Sequence, residues 1–108
     1  MIVCTCEGME WHSDGSKGEC TVLLSLSDIE EEQGSIGVVP YSHTEFIDGI
    51  GHGCIDVNKL NDIESRQIRY LYKRHDALVF DARTLHGVKN NISADKWRCV
   101  CWFIYDSY

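Results

Sequence analysis

The chain has 108 residues, 44% apolar and 25% charged, enough for one compact core and too few for two. Its formal net charge is −7, from 17 acidic and 10 basic residues, so a cationic surface for nucleic acid is not expected. No apolar run nears the ~18 residues of a membrane span, and Met1-Ile2-Val3-Cys4 is too short for the apolar part of a signal peptide. The default reading is one cytoplasmic domain over residues 1–108, without a membrane partner.

The apolar runs are short, rich in β-branched and aromatic residues, and separated by turn residues, which predicts strands. A first strand is expected over Ile2 to Cys6 and a short one over Trp11 to Asp14. Between Cys20 and Ser27, Val22, Leu24 and Leu26 take one face, and Thr21, Leu23 and Ser25 the other. Ser35 to Val39 follows the Gln33-Gly34 turn and stops at Pro40.

From Thr44 to about Asn58 the periodicity lapses around Gly49, Gly51 and Gly53, which predicts a long loop suited to a lid or specificity role. Residues 58–65 can form a helical turn or two with Leu60 and Ile63 inward. Residues 66–73 alternate like a strand, with Ile68, Tyr70 and Tyr72 on one face. Ala77 to Asp81, Thr84 to Val88 and Trp97 to Tyr105 complete the set. Many short strands without a βαβ rhythm imply an all-β sandwich or barrel.

Six cysteines stand as Cys4-x-Cys6, Cys20, Cys54 and Cys99-x-Cys101. Zinc sites usually space paired cysteines more widely, and a secreted disulfide framework would be loop-rich. Reduced, buried cysteines acting as small apolar side chains are expected.

Trp11-His12-Ser13-Asp14 carries the sharpest chemistry. Residues two apart on an extended strand share a face, so His12 and Asp14 can approach one metal ion. A second histidine would complete a two-histidine, one-carboxylate facial triad, the set used by non-haem Fe(II) oxygenases. Of His43, His52, His75 and His86, only His86 lies in a strand-like run; the others look like loop or turn residues. Arg98 shares a strand face with Val100, Trp102 and Ile104, and a buried guanidinium must be paired. Its planar fork suits a carboxylate, either an internal Asp or Glu or that of a small ligand. Its place twelve residues after His86 favours the ligand.

Three stretches, WHSDG at 11–15, LLSLSDIEEEQGSIGVVPYSH at 23–43 and DALVFDARTLHGVKNN…WRCVCWFIY from 76 to 105, resemble the phytanoyl-CoA dioxygenase-like group of Fe(II)/2-oxoglutarate oxygenases. The resemblance implies a double-stranded β-helix (a jelly roll, cupin-like), lacking most of the family's usual N-terminal elements and so a truncated or minimal form. It implies His12, Asp14 and His86 as catalytic metal ligands for Fe(II), and Arg98 as the residue that binds the 2-oxoglutarate C5 carboxylate. The activity implied is a hydroxylase-type dioxygenase reaction on a small organic molecule, consuming O₂ and yielding succinate and CO₂. Two positions depart from the family pattern: His75-Asp76 stands where Gly-Asp is common, and Val88 where a small hydroxyl residue is frequent. A binding or structural β-helix module, and a cupin-like metal protein without 2-oxoglutarate, are the alternatives. A small barrel with uncovered edges also predicts either a homodimer or a chain that is a fragment of something larger.

Overall fold

The computed structural model describes residues 2–4, 8–14, 19–44 and 57–105. In chain order the strands are β1 (Ile2–Cys4), β2 (Met9–His12), β3 (Cys20–Ser25), β4 (Ile36–Val38), β5 (Ile68–Arg69), β6 (Ala77–Asp81), β7 (His86–Val88) and β8 (Cys99–Tyr105). One α-helix, α1 (Val57–Arg66), precedes β5, and 3-10 turns lie at Glu31–Gln33 and Ser42–Thr44. The strands form two four-stranded sheets, ordered β1-β8-β3-β6 and β2-β7-β4-β5. Every pairing between them is antiparallel, and neighbours in space are rarely neighbours in sequence. That interleaving is a double-stranded β-helix, as expected.

Alternation decides which side chains fill the space between the sheets. On β3 the buried set is Thr21, Leu23 and Ser25, while Val22 and Leu24 take the outer face and stay partly exposed. Their register partners continue the inner face: Leu23 lies opposite Leu78 and Trp102, and Ser25 opposite Val100. Leu23, Ile29, Ile36, Val38, Tyr72, Phe80 and Val100 form the main core, against which Leu78, Val88 and Trp102 pack.

A second, smaller core lies behind the other sheet. Trp11, Val39, Leu85 and Ile63 of α1 pack together, with Leu60 beside them, as the helical spacing of Leu60 and Ile63 predicts. Gly37 and Gly87 let the Trp11 indole lie directly on the sheet; a Cβ at either would crowd its ring. The indole donates to Glu64 of α1 (3.1 Å), and the Arg69 guanidinium sits over its face. The helix thereby braces β2, the strand that carries His12.

Several boundaries differ from expectation by one to three residues, because strand ends follow the partner strand rather than local composition. The strand expected at Trp11 to Asp14 lies at Met9–His12, so Asp14 falls just beyond its end. The region from 66 to 73 pairs as a two-residue strand plus an isolated bridge between Ile29 and Tyr72. The expected loop lies largely outside the described residues.

The cysteine expectation needs correction at one position. Cys99 is disulfide-bonded, to a partner outside the described side chains, whereas Cys20 and Cys101 are free. The register of β1 and β8 sets the Cys4 and Cys99 backbones opposite one another, a proximity that spacing along the chain does not disclose.

Candidate metal centre

His12 ends β2 and His86 begins β7, and the antiparallel register makes them direct partners. Both turn to the inner face, with ring centroids 4.3 Å apart. Asp14 follows after one residue, and its backbone N–H is tied to the Ala82 carbonyl (2.8 Å) in the turn between β6 and β7. One ligand atom from each of His12, Asp14 and His86 lies within 4.8 Å of the others. The three residues singled out in sequence therefore meet at one point.

The hydrogen bonds around the imidazoles fix what that point can hold. His12 Nδ1 lies 2.6 Å from the Glu10 carbonyl oxygen, and His86 Nδ1 lies 2.8 Å from that of Thr84. A carbonyl only accepts, so each Nδ1 carries the proton, and in a neutral ring each Nε2 presents a lone pair. Both Nε2 atoms are buried without a hydrogen-bond partner, although they lie 3.4 Å (His12) and 3.0 Å (His86) from Asp14 Oδ2. A protonated His86 would instead pair with Asp14. Burial opposes this, holding the His86 pKa below the usual imidazole range against the raising effects of the Thr84 carbonyl and Asp14. Two lone pairs and a carboxylate converging in this way fit a divalent cation, and the Nδ1–carbonyl bonds are the outer contacts that orient metal-binding imidazoles.

The remaining surroundings are asymmetric. His86 is 1% exposed and packs on Phe80 (5.0 Å between centroids) and Trp102 (6.3 Å). The Asp14 side chain is 45% exposed, so one side of the cluster opens to solvent. Among the other histidines, His43 and His75 lie elsewhere, and His52 is outside the described residues.

Arg98 is buried and paired, as its place on an apolar face requires. Its Nη1 donates to the carbonyls of Gln33 (2.9 Å), Gly34 (2.7 Å) and Lys89 (2.7 Å). It precedes β8 and so lies at the end of the barrel opposite the triad, because β7 runs from His86 at the triad end to Val88 beside Lys89. Val88 faces the core there.

The residue that sequence reasoning missed is Gln33. Its side chain is buried, accepts from Glu30 N–H (2.9 Å) and donates to the Asp28 and Trp97 carbonyls (3.1 and 3.0 Å). This holds the turn whose carbonyls seat Arg98. The Glu30-x-x-Gln33 spacing of a capping box was the available signal.

Residues 7–100 match the sequence profile of the family described as phytanoyl-CoA dioxygenase (PhyH). The chain belongs to that family. Solved structures with the same fold include EvdMO1, 26% identical with a TM-score of 0.79, where the match covers 98% of this chain and 26% of that one. EctD from S. alaskensis with bound Fe is 19% identical with a TM-score of 0.83, over 98% of this chain and 42% of the other. SnoK, a non-haem α-ketoglutarate-dependent carbocyclase from nogalamycin biosynthesis, is 19% identical with a TM-score of 0.77, over 97% and 47%. EctD has also been crystallised with 2-oxoglutarate and 5-hydroxyectoine. No curated protein matches the sequence. The chain thus spans from about a quarter to about half of these structures. Within the phytanoyl-CoA dioxygenase family the fold is the jelly roll of Fe/2-oxoglutarate oxygenases, and His12, Asp14 and His86 form a triad compatible with iron.

Proposed function

We propose that this chain is the catalytic β-helix of a non-haem Fe(II)/2-oxoglutarate-dependent dioxygenase that hydroxylates a small organic molecule. The observation that carries the reading is the convergence of two buried, unpartnered Nε2 atoms on the Asp14 carboxylate. His12, Asp14 and His86 would hold the iron, and Arg98 would engage the C5 carboxylate of 2-oxoglutarate. A set of only three protein ligands would leave the iron accessible to co-substrate and O₂. The bound iron would supply oxidative chemistry driven by decarboxylation of 2-oxoglutarate to succinate and CO₂.

The protein's own contribution is placement. The Glu10 and Thr84 carbonyls keep the two imidazoles in the tautomer that ligates, and Phe80 and Trp102 shield His86 from water. Asp14 would serve as a third protein ligand to the iron, a carboxylate set that would favour hydroxylation over halogenation. Ile104, on the same strand face as Trp102 but 67% exposed, offers an apolar wall near the open side. The long loop from Thr44 to about Asn58 is the segment proposed to select the substrate.

The experiment is ligand protection against thermal unfolding. Mn(II) or Zn(II) at about one hundred times its dissociation constant should stabilise the protein by roughly 2.7 kcal/mol, reversed by a chelator. In Asp14→Ala the shift should disappear, together with 2-oxoglutarate turnover with Fe(II). 2-Oxoglutarate should add protection that Arg98→Lys largely loses, since an ammonium cannot reproduce the planar fork. Turnover retained in Asp14→Ala would sink the assignment. Metal protection without any 2-oxoglutarate effect would favour the cupin-like alternative.

A further inference from the structure

The turn that joins β6 to β7 lies against the metal centre and carries an ion pair that the proposed chemistry does not use. Asp81 ends β6, and the Thr84 N–H donates to its backbone carbonyl (2.8 Å), which closes Asp81 to Thr84 into one turn. The Asp81 carboxylate closes the same turn a second time. Its Oδ1 accepts from the Arg83 backbone N–H (2.9 Å) and from Arg83 Nε (3.0 Å), and its Oδ2 accepts from Nη2 (2.9 Å). The guanidinium fork is thus held bidentately by the residue two positions earlier, the strongest form of this pair. Hydrogen bonding to Arg83 holds the Asp81 carboxyl down at about 2, so the clamp is ionised at neutral pH.

The two sides of this turn differ. The side chains of Asp81 and Arg83 are partly exposed, whereas Ala82 and Thr84 are buried. An ion pair so exposed contributes little to stability. The buried side reaches the metal ligands through two backbone carbonyls. The Ala82 carbonyl accepts from the Asp14 N–H (2.8 Å), and the Thr84 carbonyl accepts from His86 Nδ1 (2.8 Å). Asp14 stands beyond the end of β2, so the strand ladder does not fix its backbone. His12, by contrast, is oriented by Glu10 of its own strand. Two of the three converging ligands therefore take their positions from one turn, and Asp81 with Arg83 sets the shape of that turn. A change in its backbone would move the anchors of Asp14 and His86 together.

We propose that Asp81 and Arg83 are positioning residues for the metal centre. Their clamp fixes the Ala82 and Thr84 carbonyls, and through them the Asp14 and His86 ligands. This rests on the reading of the triad as a metal site, and adds to it two residues that act without touching the ion.

The test is the Mn(II) affinity of the full chain without O₂, read from the paramagnetic resonance of the free ion, with the visible absorption of bound Co(II) as a second reading. Asp81→Ala removes both the turn bond and the clamp, and should bind Mn(II) about tenfold more weakly, as when other partners that orient metal ligands are lost. Its Co(II) spectrum should change, because the ligand angles change, while its metal-free melting temperature stays close to that of the unmutated protein. Asp81→Asn keeps an oxygen for the Arg83 N–H and should recover most of the affinity. Arg83→Met keeps that backbone bond but loses the fork, and should fall between the two. Asp62→Ala breaks another partly exposed ion pair, with Arg66 on α1, and should change neither reading. Unchanged Mn(II) affinity and Co(II) spectrum in Asp81→Ala would overturn the proposal. A weaker affinity matched by a lower metal-free melting temperature, and not recovered by Asn, would make Asp81 a structural residue and overturn it as well. If the unmutated protein binds neither ion, the metal reading itself fails and takes the proposal with it.

Discussion

His86 shows how a single side chain can be both a stability cost and a functional group. Burial lowers its pKa, and the nearby His12 lowers it further, so the folded protein keeps a neutral imidazole where the unfolded chain would protonate near pH 6.5. A depressed folded-state pKa means that stability is fully present only above the unfolded value. It is lost as pH falls through 6.5 toward the lower folded value, since the unfolded state then binds the extra proton. Metal-free protein should therefore melt earlier at pH 5.5 than at pH 7.5, and His86→Gln should flatten that dependence. His75 illustrates a different cost. It adopts φ 75, in the left-handed region, at the turn before β6, where the resembling family commonly has glycine. That conformation costs an L-residue about 1–2 kcal/mol, partly offset by the greater chain entropy of glycine. His75→Gly should raise stability by roughly 0.5–1 kcal/mol in a urea titration, and a loss of stability would show that the imidazole has a role the backbone does not reveal.

At the level of elements, the turn from Glu30 to Gly34 seats Arg98. Gln33 closes the 3-10 turn, and Gly34 ends it in the left-handed conformation (φ 76). The Gln33 and Gly34 carbonyls then point at Arg98. A Cβ on Gly34 would collide with the Lys89 carbonyl and with Arg98 Nη1. Gly34→Ala should therefore cost more than the ~1 kcal/mol of left-handed strain alone. It should also weaken 2-oxoglutarate protection, because Arg98 must shift. An Ala variant that keeps both stability and protection would break this link. The same reasoning explains why Gln33 escapes a strand-by-strand reading: its importance comes from three hydrogen bonds, one of them to residue 97.

The whole molecule is governed by non-local pairing. β1 pairs with β8, and β3 pairs with both β6 and β8, so almost no strand can be completed from its own surroundings. Loop-closure entropy must be spent before these contacts form, which places folding in the millisecond-to-second range of all-β domains. Stopped-flow tryptophan fluorescence during refolding from urea should show this, with Trp11 buried only when the sheet and α1 come together. Microsecond folding would contradict it. No helix among the described residues is long and apolar enough to cross a membrane.

Much of the site was legible in the chain itself. Period-two alternation put His12 and Asp14 on one side, and the apolar face of the last strand required a paired Arg98. Those properties depend on the local backbone, which the side chains largely dictate. Other features were not local. The pairing of His12 with His86, the three carbonyls around Arg98, the disulfide at Cys99 and the unpartnered hydroxyl of Tyr72 all depend on which segments become neighbours. Even the buried face of β3 was undecided, because both of its faces carry leucine and only the opposing sheet makes one of them the inside. The sequence by itself determined the strands and the groups able to bind a metal and a carboxylate. The tertiary structure decided where they meet, because register and burial belong to pairs of segments distant in the chain.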